Sequence, residues 1–394
     1  MNQFVLQKHR IQSIDIVRGL IMLIMTLDHT RDFFHFQGPQ YNPTNMATTT
    51  VLLFFTRWIT HYCAPVFVFL SGVSACLAGQ RRTKSELSMF LIKRGLWLML
   101  MDVVVITFMF TLNPGFNAIV LEVLWAIGFS MVILGLLVRA PLVVIGVIGG
   151  IIFFGHNLLD LGIVQQPKPG VGSNLLTIFF TAPGVIQLGS THMVLDAYAV
   201  IPWTGVMMLG YVFGSLYKKD ADVQRRKKTL LVTGLCSIAF FILLRYINHY
   251  GDPAPWGPQR NVAHTLLSFL NTTKYPPSLL FLCMTLGPAL ILLSVIEGIQ
   301  NKLTAFCMVY GNVPFFYFLA HLYLLRAINL ILIFASGIST KDSGSPFMFQ
   351  PPKFGYPLWT VYLIWAGVIG ILYFPCRWFA RYKKSHQQWW LSYL

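Results

Sequence analysis

The chain has 394 residues, 56% of them hydrophobic and 11% charged, with a mean hydropathy of +0.64 and a formal net charge of +16. Soluble domains carry about 25% charged residues, so this composition excludes an ordinary soluble domain, a disordered chain and a coiled coil and leaves a polytopic, all-α membrane protein. The basic residues sit in short runs between apolar stretches, which excludes nucleic acid as the partner that the charge attracts.

No short apolar core with a small-residue cleavage site follows Met1. The first apolar segment is therefore expected to be a retained helix and not a signal peptide. A span needs roughly 20 mostly apolar residues. Ten such segments follow in order: 13–36, 51–78, 95–112, 119–138, 140–159, 197–217, 229–248, 276–298, 304–335 and 357–376. The ninth is too long for a straight span, and Pro314 predicts a kink in it. Between the fifth and sixth lies an apolar stretch, Leu175 to Leu188, interrupted by Ala-Pro-Gly. It is too short to cross and is expected to be interfacial or re-entrant.

Lysine and arginine orient the spans. With both termini in the cytoplasm, the inner segments hold 19 of the 29 Lys and Arg, and the outer loops hold five: Lys168, Arg260, Lys274, Lys341 and Lys353. The remaining five lie inside spans: Arg18, Arg31, Arg57, Arg245 and Arg326. Neither a separate soluble domain nor an internal repeat is apparent, so residues 1–394 read as one transmembrane domain. The six cysteines all fall in apolar segments and none is in a Cys-x-x-Cys. Neither a disulfide framework nor a metal site is expected.

Ionisable residues inside a span are costly and mark function by default. The first span is the outlier, with Asp15, Arg18, Asp28, His29, Arg31, Asp32 and His35. Arg18 and His29 are eleven residues apart, three helical turns, so they share a face at about 16 Å along the axis. His29 and Asp32 are i,i+3 neighbours, which lets the carboxylate orient or charge the imidazole. The alternative for Asp28, Arg31 and Asp32 is an ion-pair cluster at a helix end. In the second span Arg57 and His61 share a face at i,i+4, with His61 at a depth similar to His29. The two histidines are expected to face each other, or His61 is simply packed against a carbonyl. Asp102 is expected to pair with an arginine on another helix. His321, Asn312 and the Pro314 kink are candidates to line a pocket.

The residues also resemble a known family. Ser13–Leu20 (SIDIVRGL), Asp28–Phe34 (DHTRDFF), Phe55–Gly72 (FTRWITHYCAPVFVFLSG), Lys93–Trp97 (KRGLW), Leu124–Gly128 (LWAIG), Ile201–Gly214 (IPWTGVMMLGYVFG), Asn271–Leu279 (NTTKYPPSL) and Gly311–His321 (GNVPFFYFLAH) look like bacterial integral membrane proteins with a heparan-α-glucosaminide N-acetyltransferase-like catalytic domain. The resemblance runs from about residue 10 to about 330. The spacing of Arg18 and His29 is also similar to the first-helix signature of type 3 membrane acyltransferases. The resemblance implies acyl transfer from cytoplasmic acetyl-CoA to an acceptor amine or hydroxyl, often of a sugar, at the membrane. One position departs. The lysosomal enzyme of the family has asparagine at the position of His29, and its catalytic histidine falls where this chain has Gln40. The assignment to His29 thus rests on spacing and depth.

These readings combine into a set of expectations. His29 is the general base, Asp32 orients it, and His61 is the second histidine at its depth. Arg18 and Arg94 meet the CoA phosphates. Arg57, Asn312, His321 and Lys274 contact the acceptor, and Trp203, Trp256 and Tyr275 stack on a sugar. The expected partners are the lipid bilayer, acyl-CoA and a saccharide or similar polar acceptor, with homo-oligomerisation left open, in a bacterial inner membrane. A transporter or flippase of a similar substrate, without chemistry, is the rival reading.

Overall fold

The computed structural model describes residues 11–36, 42–161, 171–218, 221–338, 351 and 354–392. Gln40, Lys168, Lys341, Lys353 and residue 394 lie outside them. Fifteen α-helices are formed by the described residues: α1 Gln12–Phe34, α2 Val51–Thr60, α3 Cys63–Gly79, α4 Lys84–Met101, α5 Thr107–Thr111, α6 Val123–Leu137, α7 Leu142–Gly155, α8 Val171–Leu176, α9 Val200–Phe213, α10 Val223–Ile247, α11 Val262–Leu270, α12 Leu279–Val295, α13 Lys302–Gly311, α14 Pro314–Ala335 and α15 Leu358–Ser385.

Helices occupy all ten apolar segments of the sequence. Six helical stretches are long and apolar enough to cross a membrane: Val51–Gly79, Leu142–Asp160, Val200–Tyr217, Val223–Ile247, Pro314–Ala335 and Leu358–Ser385. Val123–Leu137 and Leu279–Val295 are apolar but shorter. The long α1 is missing from the six because of its charges.

The segment 304–335 is corrected from one kinked helix to two. The chain breaks at Asn312 and Val313, and Pro314 opens α14 at its first turn. Proline suits that place because its fixed φ matches a helix and its missing N–H would have had no partner there. Within 51–78 the hydrogen-bond pattern is interrupted at His61 and Tyr62, which keep helical backbone angles, and Pro65 sits in the first turn of α3.

The fold is not all-α. A three-stranded sheet joins β1 Ala118–Leu121, β2 Gly184–Leu188 and β3 His192–Asp196 in the order β1-β3-β2. β1 runs parallel to β3 with Leu121 opposite Asp196, and β2 runs antiparallel to β3 with Leu188 opposite His192. Gly189, at φ +74°, starts the tight turn between β2 and β3 in a conformation that only glycine takes without strain. The stretch Leu175–Leu188 therefore divides into the end of α8, a wide π turn over Thr177–Thr181, and β2. Asp102 is also corrected. Its Oδ2 accepts the Glu122 backbone N–H at 2.6 Å, tying the π turn at Asp102–Ile106 to the start of α6, and it forms no ion pair with an arginine among the described residues.

α1 lies at the centre. It packs against α2, α3, α12, α13, α14 and α15, so its charged groups are enclosed by protein and not by lipid. Close approach is built from glycine. A Cβ on Gly19 would stand 1.9 Å from the Cys307 carbonyl oxygen, and one on Gly311 would stand 1.9 Å from that of Asp15. α1 and α13 thus meet backbone to backbone, the small-residue packing that membrane helices favour.

Candidate active site

The last two turns of α1, the end of α2 and the middle of α14 converge on one polar centre. Asp28 is 7% exposed and holds it together. Arg57 Nη1 donates to both of its oxygens, at 2.7 and 2.6 Å, and Thr60 Oγ1 donates to Oδ1 at 2.8 Å. Arg31 Nη2 lies 2.8 Å from Oδ1 and also 2.5 Å from Asp32 Oδ1. A carboxylate buried this deeply is tolerated because both of its oxygens are met by charged or hydroxyl donors. The ion-pair reading of Asp28, Arg31 and Asp32 is thereby met, with Arg57 as a fourth member. Arg31 Nη1 is buried and has no hydrogen-bond partner among the described residues.

His29 stands beside this cluster, half-buried. Its Nδ1 is 2.8 Å from His321 Nε2, and His321 Nδ1 is 2.9 Å from the Tyr317 carbonyl oxygen. The two imidazoles are nearly coplanar, at 10°, and Phe318 meets both edge-on. Asp32 makes its hydrogen bond to Arg31, so the group that holds the His29 ring is His321, fully buried on α14. His29 does not pair with His61. The His61 ring meets Phe281 of α12 edge-on at 5.4 Å, and its buried Nδ1 has no partner among the described residues.

Lys274 is 8% exposed, with its ammonium 4.9 Å from the centre of the Tyr275 ring. No carboxylate lies within ion-pair distance of it among the described residues, yet its charge reaches Asp28, His29 and His61. The sequence-derived candidates His29, Asp32, Arg57 and Lys274 are therefore brought into one neighbourhood, with His321 in direct contact with His29. Asn312 is the residue that closes α13, where its N–H bonds to the Met308 carbonyl.

The Arg18 end of α1 is separate. Arg18 Nη1 pairs with Asp15 at 2.9 Å and Nη2 donates to Ser74 Oγ of α3 at 2.9 Å. Arg94 lies on α4, one residue before Gly95, whose Cβ would stand 2.4 Å from the Gly128 carbonyl oxygen of α6. Among the aromatics proposed for sugar stacking, Trp203 is corrected. It is fully buried in α9 against Tyr198 and offers no face to a ligand. Trp256 packs on Phe269, and Tyr275 is half-buried against Tyr198.

Sequence reasoning missed Arg31 as a source of an unused donor, Thr60 as an Asp28 partner, and Tyr317. Thr60 was within reach of it: Arg57 and Thr60 are i,i+3 on α2 and face the same way. Among the described residues no group of three His, Cys, Asp or Glu side chains stands close enough to hold a metal ion.

A family model described as heparan-alpha-glucosaminide N-acetyltransferase, catalytic, matches residues 10–250, more than half of the chain. No curated protein matches.

Proposed function

The chain belongs to the family of the heparan-alpha-glucosaminide N-acetyltransferase catalytic domain, and from that premise we propose that it moves an acetyl group from cytoplasmic acetyl-CoA to an acceptor amine or hydroxyl, of a sugar, at the outer side of a bacterial inner membrane. The proposal includes ten spans with both termini inside, on the strength of the lysine and arginine distribution. Tags at residues 45 and 260 are then reached from outside and one at 223 from the cytoplasm only. Cytoplasmic labelling at 260 breaks the ten-span arrangement.

The observation that carries the chemistry is His29 itself. It is the half-buried imidazole beside the Asp28 ion cluster, and among the described residues its Nε2 makes no hydrogen bond. In this reading Nε2 removes the proton from the acceptor as its nitrogen or oxygen attacks the thioester carbonyl carbon. The C–S bond breaks, CoA leaves as the thiolate, and the proton returns to it. Arg31 Nη1 and the Lys274 ammonium are the unspent cationic donors near the centre, suited to the negative charge that develops on the carbonyl oxygen. Asp28 and Arg57 keep the centre in shape, and Asp32 holds Arg31. Arg18 and Arg94 receive the nucleotide phosphates toward the inner face, and Asn312 lines the route between the α13–α14 break and the centre.

The test compares two histidines. His29→Ala is expected to lower acetyl transfer by about 10²–10⁴-fold with acetyl-CoA affinity kept, the usual contribution of a general base. His61→Ala is expected to retain most of the rate. A dead His61→Ala beside an active His29→Ala moves the base to α2. Acetyl-CoA that neither binds nor reacts favours the transporter.

A further inference from the structure

We propose that His321, through the Tyr317 carbonyl, fixes the tautomer of His29 and so determines which of its nitrogens is basic. The deduction starts from an atom that has one role only. A backbone carbonyl oxygen accepts, so His321 Nδ1, 2.9 Å from the Tyr317 oxygen, carries a proton. A neutral imidazole has one N–H, which leaves His321 Nε2 as an acceptor. His29 Nδ1, 2.8 Å away, must then be the donor. The remaining nitrogen of His29, Nε2, keeps its lone pair. The near-coplanarity of the rings, 10° with centroids 5.1 Å apart, is the geometry of in-plane hydrogen bonding and not of face-to-face contact.

The surroundings hold this chain of bonds in place. His321 is fully buried, which favours its neutral form. The Tyr317 ring lies over it at 15°, and the Tyr317 hydroxyl bonds to Thr26 Oγ1 at 2.6 Å, about one turn before His29 on α1. Thr26 and Thr30 each bond back to a carbonyl one turn earlier. α1 and α14 are therefore pinned on the same side of the histidine pair. Free imidazole side chains carry their proton at Nε2 more often than at Nδ1, so the pair imposes the less common form on His29. When His29 gains a proton at Nε2, its Nδ1–H bond to neutral His321 becomes charge-assisted and strengthens. His321 is a positioning residue in this scheme: it acts through His29.

The catalytic consequence rests on the reading of His29 as base, whereas the tautomer stands on geometry alone. The experiment separates the two. Full-length protein carrying ¹⁵N-histidine, in detergent or nanodiscs, is observed by NMR, with the His29 signals assigned by their loss in His29→Gln. In the wild type His29 is expected in the Nδ1–H form. His321→Leu is expected to return it to the Nε2–H form and lower kcat at least tenfold, with KM for acetyl-CoA unchanged. His321→Gln, whose side-chain oxygen accepts where Nε2 stood, is expected to restore both. An Nε2–H tautomer of His29 in the wild type overturns the proposal without the need for any variant to fold. So does a His321→Leu protein that keeps the Nδ1–H form at full rate. An Nδ1–H wild type that transfers no acetyl group supports the tautomer and removes the catalytic reading instead.

Discussion

At its Arg18 end, α1 meets its neighbours backbone to backbone, with Gly19 and Gly311 interlocked and the guanidinium tied to Asp15 within its own helix and to one serine of α3. At its His29 end the same helix reaches its neighbours through side chains. Asp28 engages Arg57 and Thr60 of α2, and His29 engages His321 of α14. The first kind of contact sets the distance between helices and tolerates no added atom. The second leaves unspent donors and an open imidazole nitrogen. One helix thus carries a rigid mount at one end and, at the other, the polar centre proposed to react.

Substitutions at the two ends should fail in different ways. The largest effect on stability is expected from Arg57→Met, which leaves Asp28 buried with Arg31 as its remaining cation. Breaking one partner out of a buried ion pair typically costs about 3–5 kcal/mol, seen as a fall in Tm in detergent. An unchanged Tm would mean that the cluster is hydrated and not sealed. Gly19→Ala comes next. Its added methyl falls on a backbone oxygen that cannot rotate away, and overpacking of this kind costs typically about 1–3 kcal/mol. This variant should lose stability and yield while its folded fraction keeps its turnover. A full loss of turnover in folded protein would mean that the mount and the centre are not separable.

How much of this was legible in the sequence follows from the same contrast. The first span announced itself through the cost of ionisable groups in a membrane, and Arg57 and His61 through i,i+4 spacing. The partner of His29 did not, because His321 is 292 residues away and no local pattern encodes which helix closes on which. The strands were hidden for another reason. Ala118–Leu121 is four apolar residues separated from the apolar run of α6 by Glu122 alone, and periodicity cannot separate a strand that short from a helix. Pro314 was visible, but proline signals a helix start and a kink alike, and only the non-helical backbone at Val313, φ −135° and ψ 53°, decides between them.

Two smaller effects sharpen the comparison. Arg18→Ala should weaken acetyl-CoA binding about tenfold, the loss of a charged hydrogen bond worth roughly 1.5 kcal/mol, with folding intact. Unchanged affinity removes Arg18 from the donor site. Asp32→Asn should reduce turnover only a few-fold (about 1 kcal/mol), because Asp32 steadies Arg31 and leaves the His29–His321 bond alone. A loss as large as that of His29→Ala would show that Asp32, and not His321, governs the imidazole.

The central claim is that this helix bundle uses acetyl-CoA chemically, and purified protein with isotopically labelled acetyl-CoA tests it most directly. Saturable binding, followed by transfer of label to an amine- or hydroxyl-bearing sugar in a panel of acceptors and lost in His29→Ala, is the predicted result. Folded wild-type protein that binds no acetyl-CoA, or that binds it and passes label at the same rate with and without His29, contradicts it.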